Sequence, residues 1–334
     1  MDKVWKQILA SAIIGLLIPQ VVLSAGSWLM RPKLPEVAQT VPTQPETTAG
    51  AGETLPALPV PVYIPVLTGK ADVTVMELEN YVVGVVLAEM PASFEPEALK
   101  AQAVVARTYA LRRIEQGDRH PEGAVCTDSQ CCQAYITEDM YLQSRGTEMD
   151  VLKIRQAVID TAGMVLMYGG SVAEATYFSC SGGRTEDALE VWGADFPYLQ
   201  AVDSPGEENA ASYSASVFFA GEGFVKALGI TLPGSPKTWL GKTTYTKGGG
   251  VKTMIIGGKS YSGTALRQLL GLNSTRFTMT AESGGIRITT QGKGHRVGMS
   301  QYGAEAMAVN GADHMQILSY YYPGTGIDKV GGIG

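Results

Sequence analysis

The 334-residue chain has no run of lysine or arginine, no internal repeat and few charges of either sign, 17% in all. The missing basic block excludes most. The formal charge is −6, and Lys3, Lys6, Arg31 and Lys33 against Asp2 give residues 1–33 a net +3, so the rest carries −9. A polyphosphate backbone would meet no counter-charge there, which excludes nucleic acid as a partner. The absence of a repeat argues against a stacked array. With charge this low, 45% hydrophobic residues supply enough apolar surface for a sizeable core, which excludes wholesale disorder. Histidine (three) and cysteine (four) are scarce, so metal ligands and nucleophiles have few places to be. Glycine is plentiful at 40 residues and announces many turns.

Ile8 to Met30 is an uncharged stretch of 23 residues, long enough as a helix to cross a ~30 Å hydrocarbon core. Trp28 before Arg31 suits an interface anchor. The expectation is a short cytoplasmic tail over 1–7 and a single transmembrane anchor over 8–30. A signal peptide cut after Val22-Leu23-Ser24 is the alternative. Residues 31–61 shift to Pro, Thr, Ala, Gly and Glu and read as a linker, leaving 62–334 as the folded domain.

Within that domain, Thr74-Val75-Met76-Glu77 has the pattern of a capping box opening a helix. Leu78, Val82, Val85 and Glu89 follow at i, i+4, i+7 and i+11 on one stripe, and Met90-Pro91 ends the helix. A second helix is expected from Pro96-Glu97 to about Arg113, with Leu99, Ala103, Ala106 and Ala110 on one side, and a third around Met149–Thr161. Val165–Tyr168 and Ser171–Phe178 about Gly169-Gly170 read as a hairpin. Phe196–Val202, Ser214–Phe219, Lys252–Ile256, Phe277–Ala281 and Ile286–Thr290 are further expected strands. Phe224–Leu228, Ala265–Leu270, Ser300–Val309 and His314–Tyr321 are expected helices. Helices, then strands, then helices predict α+β: a helical subdomain carrying Glu89 packed with a strand-rich one.

Glu89 is the most informative residue. Its stripe partners are apolar, and it sits in a helix's last turn near the negative end of the dipole. Both circumstances favour the neutral acid, the form that general-acid cleavage of a glycosidic bond needs. A buried ion pair is the bland reading. Lys100 and Arg107, seven residues apart, share a face of the second helix and could line a groove or merely meet solvent; Gln102 lies elsewhere on the turn.

His120, Cys126, Cys131 and Cys132 lie within thirteen residues, a plausible tetrahedral zinc complement; a disulfide from Cys126 to Cys131 or Cys132 is the alternative. Cys180 with His295 as base would make a cysteine peptidase or transpeptidase, although no orienting Asp or Asn accompanies His295. Gly292-Lys293-Gly294-His295 looks like a phosphate loop without its following Lys-Ser/Thr.

Four blocks carry a family resemblance: Glu77–Arg113, Tyr177–Glu186 (YFSCSGGRTE), Val191–Pro205 (VWGADFPYLQAVDSP) and Gly294–Ala308 (GHRVGMSQYGAEAMA). In this order they resemble the stage II sporulation protein D family, over roughly residues 62–327. The resemblance implies a membrane-anchored lytic transglycosylase, a glycan lyase acting on peptidoglycan during engulfment in sporulation, with Glu89 as its single acid/base. It needs no cofactor for catalysis. It also implies groove roles for Lys100, Gln102, Arg107, Tyr177, Ser179, Ser181, His295, Ser300 and Gln301, and structural zinc on His120, Cys126, Cys131 and Cys132. Arg296 stands where many relatives have glycine. The implied partners are peptide-stripped glycan strands and stage II sporulation proteins P and M. The implied place is the extracytoplasmic, mother-cell side of the sporulation septum. Amidase enhancers share the core domain, so a non-catalytic wall-binding regulator is the alternative.

Overall fold

The computed structural model describes residues 61–69, 72–117, 119–144 and 146–330. The expected tail over 1–7, the anchor over 8–30 and all but the last residue of the linker lie outside them. Among the described residues no helix is long and apolar enough to cross a membrane.

The expected α+β architecture is present as two hydrophobic cores, one helical and one in a strand-rich segment. The chain enters on an antiparallel pair, β1 (Tyr63–Thr68) and β2 (Asp72–Glu77), with β3 (Val125–Cys126) later joining β1 in parallel. Here the expected capping box is overturned. Val73, Thr74 and Val75 are good strand formers, and β1 offers them a full ladder of partners. Helix α1 (Leu78–Glu89) then starts from Glu77, which makes no side-chain cap; its carboxylate accepts from Asn80 instead. Nor is the buried face a narrow stripe. Leu78 and Tyr81 through Leu87 are all buried, so α1 is enclosed by the core.

Helix α2 (Pro96–Gln116) has Pro96 in its first turn and the left-handed Gly117 as its stop. It is buried on every side from Ala98 to Ala110. Around it pack α3 (Glu138–Ser144) and α4 (Glu148–Asp160), the latter opened by a Thr147–Asp150 capping box. β4 (Met164–Tyr168) turns at Gly169-Gly170, both at positive φ, into β5 (Ser171–Val172). The second expected hairpin strand is cut short there. After Val172 the chain leaves the ladder, and Tyr177–Phe178 (β6) pairs in parallel with β13 (Met299–Ser300). After the short helix α5 (Ala188–Trp192), Phe196–Val202 is a turn rather than a strand, held by the Ala188 and Thr185 N–H groups donating to the Leu199 and Val202 carbonyls.

The strand-rich core holds two three-stranded sheets. One is β10 (Lys259–Ser262), β9 (Val251–Ile256), β8 (Leu240–Tyr245); the other is β11 (Phe277–Glu282), β12 (Gly285–Gln291), β7 (Ser214–Ala220). Helices α6 (Gly221–Leu228) and α7 (Gly263–Leu269) close it with Phe224, Leu228 and Leu266. The chain then returns to the first core through α8 (Gln301–Val309), α9 (His314–Tyr321) and β14 (Gly326–Lys329) beside β4.

Arg296 ties the two parts together. It is fully buried at φ 68, the left-handed conformation that glycine adopts freely. Its guanidinium pairs with Glu186 at 3.1 Å and donates to the carbonyls of Ser181, Arg184 and Gly248. A glycine would suit the backbone at this point but could not make those four contacts.

Candidate active site

Glu89 closes α1 where two clefts meet. One, of about 920 Å³, is lined by Tyr109, Tyr177, Trp192 and His295; the other, of about 440 Å³, by Met90, Phe94, Gln301 and Tyr302. Glu89 and Ser179 line both. Burial raises the Glu89 pKa, opposed by three hydrogen bonds. Oε1 accepts from the Ala134 backbone N–H at 3.0 Å and from the Tyr177 hydroxyl at 3.4 Å, and Oε2 accepts from Gln301 Nε2 at 3.4 Å. The carboxyl is thus biased toward its acid form, with donors ready for the anion.

These donors come from three parts of the chain. Ala134 is delivered by a loop that lies directly on α1. Gly84 permits this, since a Cβ there would sit 2.2 Å from the Tyr135 ring, and its carbonyl accepts from Ile136 N–H. Beside Ala134, buried Gln133 accepts from the Tyr81 hydroxyl at 3.2 Å and donates to the Tyr177 hydroxyl oxygen at 2.9 Å. A relay of donors, Tyr81 to Gln133 to Tyr177, therefore ends on Glu89. Gln301 is the first residue of α8, whose cap is Ser300.

Of the groove residues expected from the sequence, Tyr177, Ser179, Gln301 and His295 line a cleft. His295 lies against the rings of Phe178 and Trp192. Burial, with nearby Arg267, pushes its pKa down to about 4, so it is neutral. Its Nδ1 accepts from Val297 N–H and it hydrogen-bonds the Tyr177 backbone. The others lie elsewhere. Lys100 pairs with Glu97 and Asp160. Gln102 is fully enclosed, and neither amide atom has a partner among the described residues. Arg107 is fully buried, with Nε on Glu79 at 3.0 Å and Nη1 on the Met164 carbonyl at 3.0 Å. The shared helix face of Lys100 and Arg107 faces protein because α2 runs through the core. Ser181 is buried on Glu207, and Ser300 caps α8.

The Cys180 reading fails on geometry and charge. Cys180 is fully buried and donates to Glu207 at 3.1 Å; burial and that carboxylate push its thiol up to about 12. His295 is bonded to other groups.

The His120, Cys126, Cys131 and Cys132 ligand atoms all lie within 4.8 Å of one another, with His120 Nε2 3.3 Å and 3.5 Å from the sulfurs of Cys131 and Cys132. Ligands with ~2.0–2.3 Å bonds to one tetrahedral ion lie about 3.3–3.8 Å apart, so a small contraction of this group would seat zinc, and the donor set fits it. Burial raises the Cys126 and Cys131 pKa values, and a dication among them would supply the charge that thiolates require. Cys131 and Cys132 also line the larger cleft.

Sequence reasoning missed Gln133, Ala134, Trp192 and Arg267. Ala134 acts through its backbone, which carries no sequence signal; Gln133 and Arg267 sit outside the four blocks, and Trp192, inside the Val191–Pro205 block, has no neighbour in sequence that marks it as a cleft residue.

The family profile described as "Stage II sporulation protein" matches residues 68–168, the segment holding Glu89 and the Cys/His cluster. The chain is 42% identical over 284 residues to stage II sporulation protein D of Bacillus subtilis (strain 168), covering 83% of this chain and 81% of that protein. It is 39% identical over 289 residues to stage II sporulation protein D of Bacillus amyloliquefaciens, covering 84% and 83%. It is also 31% identical over 298 residues to the amidase enhancer of Bacillus subtilis (strain 168), covering 72% of this chain but 39% of that one. Matched across most of both chains with two such relatives, the chain belongs to the stage II sporulation protein D family.

Proposed function

We propose that this protein is a lytic transglycosylase that cleaves the MurNAc–GlcNAc bond of peptide-stripped peptidoglycan strands during engulfment, with Glu89 as its one acid/base. The supporting observation is an acid-biased carboxyl standing at the junction of two clefts. The other carboxylates lining them are engaged elsewhere, Glu174 with Arg113 and Asp150 in a helix cap. A hydrolase needs a second carboxylate, as nucleophile or to activate water. A transglycosylase does not. Glu89 protonates the glycosidic oxygen as the C1–O bond breaks. Its carboxylate, held by Ala134, Tyr177 and Gln301, then takes the proton of the muramyl C6 hydroxyl as that oxygen bonds to C1. One bond breaks, one forms, the proton is returned, and a 1,6-anhydro ring results without water.

His120, Cys126, Cys131 and Cys132 would hold a structural zinc ion. Its contribution would be to fix the loop that ends in Gln133 and Ala134. The membrane anchor over residues 8–30, the place in the sporulation septum and the partnership with stage II sporulation proteins P and M belong to the same proposal and rest on family resemblance.

The test is incubation of the purified protein with peptide-stripped strands, products being read by mass spectrometry. Anhydromuramyl ends are expected, and none with Glu89→Gln. Products one water heavier would make the protein a hydrolase. The likeness to the amidase enhancer favours a second reading, a non-catalytic wall-binding regulator, for which Glu89→Gln would leave sporulation intact.

A further inference from the structure

The larger cleft is cationic in a chain whose net charge is −6. Arg113, Arg119, Arg267 and Lys293 line it, against Glu89 and Glu174. Arg113 is neutralised by Glu174, and Glu89 is biased toward its neutral acid. Three cations are left over. Arg119, on the Cys/His loop, is exposed and donates to the Cys131 carbonyl at 2.7 Å. The other two belong to the opposite wall. Lys293 is exposed on the strap that follows β12, and Arg267 is half-buried in the last turn of α7.

Arg267 is the unusual one. Among the described residues it forms no ion pair. A side-chain hydrogen bond from Nε to the Leu272 carbonyl at 3.3 Å anchors the guanidinium, and neither Nη group has an acceptor among the described residues. Burial lowers its pKa. A half-desolvated guanidinium without a carboxylate is an unfavourable arrangement for the protein alone. It becomes favourable when an incoming anion fills the planar fork, the geometry guanidinium offers to carboxylate. The same wall carries Trp192, 43% exposed and packed against His295, an apolar face on which a sugar ring can lie.

We propose that Arg267, supported by Lys293, is a subsite for a carboxylate borne by the glycan, the free lactyl carboxylate of a muramyl residue. The inference rests on the cleft being the glycan-cleaving site. It goes beyond it by assigning a recognition role to the strand-rich part of the molecule, which contributes no group to Glu89. A lactyl carboxylate in amide linkage to a peptide has lost both its charge and one of its oxygens, so this subsite separates bare from substituted strands by chemistry as well as by size.

The experiment uses the full chain carrying Glu89→Gln, so that ligand is bound and not consumed. Its binding to a peptide-free muramyl tetrasaccharide is compared by titration calorimetry with binding to the same sugar converted to the methylamide. Amidation is expected to weaken binding about tenfold, the scale of a charge-assisted pair. Adding Arg267→Gln is expected to weaken the free acid by the same factor and leave the methylamide unchanged, with Arg267→Lys recovering part of the loss. Equal affinity for both sugars, or an Arg267→Gln effect equal on both, would overturn the subsite while leaving the glycan reading of the cleft in place. Binding of neither sugar by protein with an unchanged melting temperature would overturn both.

Discussion

The hydrogen bond from Tyr177 to Glu89 gives the sharpest test of how the acid is poised. Tyr177→Phe removes one donor to Oε1, leaves the Ala134 N–H at 3.0 Å and the Gln301 amide in place, and barely alters the burial that raises the pKa. Gln133 loses the hydroxyl as an acceptor but keeps the Ala106 carbonyl at 3.4 Å. A bond to a charged group is worth about 1.5–3 kcal/mol at good geometry; at 3.4 Å about 1 kcal/mol is appropriate, roughly a fivefold change in the ionisation constant. The sign is fixed because the hydroxyl donates and so favours the carboxylate. Its loss raises the Glu89 pKa further. The reaction begins from protonated Glu89, so activity falls as pH rises through that pKa, and in Tyr177→Phe this alkaline limb moves to higher pH. Stability follows the same sign. A carboxyl with a raised folded-state pKa contributes fully below its unfolded pKa and loses that contribution as pH rises from there through its folded pKa, over a wider span in the variant. The assay is release of anhydromuramyl ends against pH. An unmoved limb, or one moved to lower pH in a folded variant, would refute the reasoning.

Three further outcomes are expected. Gly84→Ala would force a Cβ to within 2.2 Å of the Tyr135 ring, costing about 1–3 kcal/mol and displacing the loop that carries Ala134; an unchanged melting temperature would contradict this. One zinc per chain is expected by elemental analysis, lost in Cys126→Ser, with chelation lowering the melting temperature; a metal-free chain two hydrogens lighter would establish the disulfide instead. Burial pushes Glu97 up, but bonds from Lys100 and His314 prevail and hold it at about 2. Its stabilisation is therefore complete above the ordinary carboxylate range and is lost as pH falls from about 4.3 toward 2. Thermal melts at pH 3 and pH 7 should differ less in Glu97→Gln than in wild type.

The sequence pattern located most elements that pack by their own periodicity. His314–Tyr321 and the strands of the β11–β12 hairpin fall where alternation and helical spacing put them. Misreadings arose where a distant partner decides. Thr74–Glu77 has the letters of a helix cap, but β1 lies alongside it and a full ladder outweighs one capping bond. Ser171–Phe178 continues a strand-like composition past Val172, while Tyr177 and Phe178 find their partner more than a hundred residues away at Met299 and Ser300. Helices α1 and α2 carry more than a stripe of apolar residues because both are enclosed, and a stripe reading cannot tell one buried face from several.

The same distinction explains which site residues could be read. Glu89 was visible because a carboxylate at the end of an apolar helix is anomalous on local grounds alone. Lys100 and Arg107 were equally local, yet polarity on a helix says only that a partner exists, and here the partners are Glu97, Asp160 and Glu79 rather than substrate. What makes Glu89 chemically useful lies outside its helix: a backbone N–H from residue 134, a hydroxyl from 177 and an amide from 301. Each donor stabilises the anion, and burial opposes the anion. A carboxyl subject to only the first would give up its proton too readily to act as an acid, and one subject to only the second would hold it too tightly to release it to the leaving oxygen. A single group that must both give and recover a proton needs the two influences together, and they can meet only where separate parts of the chain converge on one helix end.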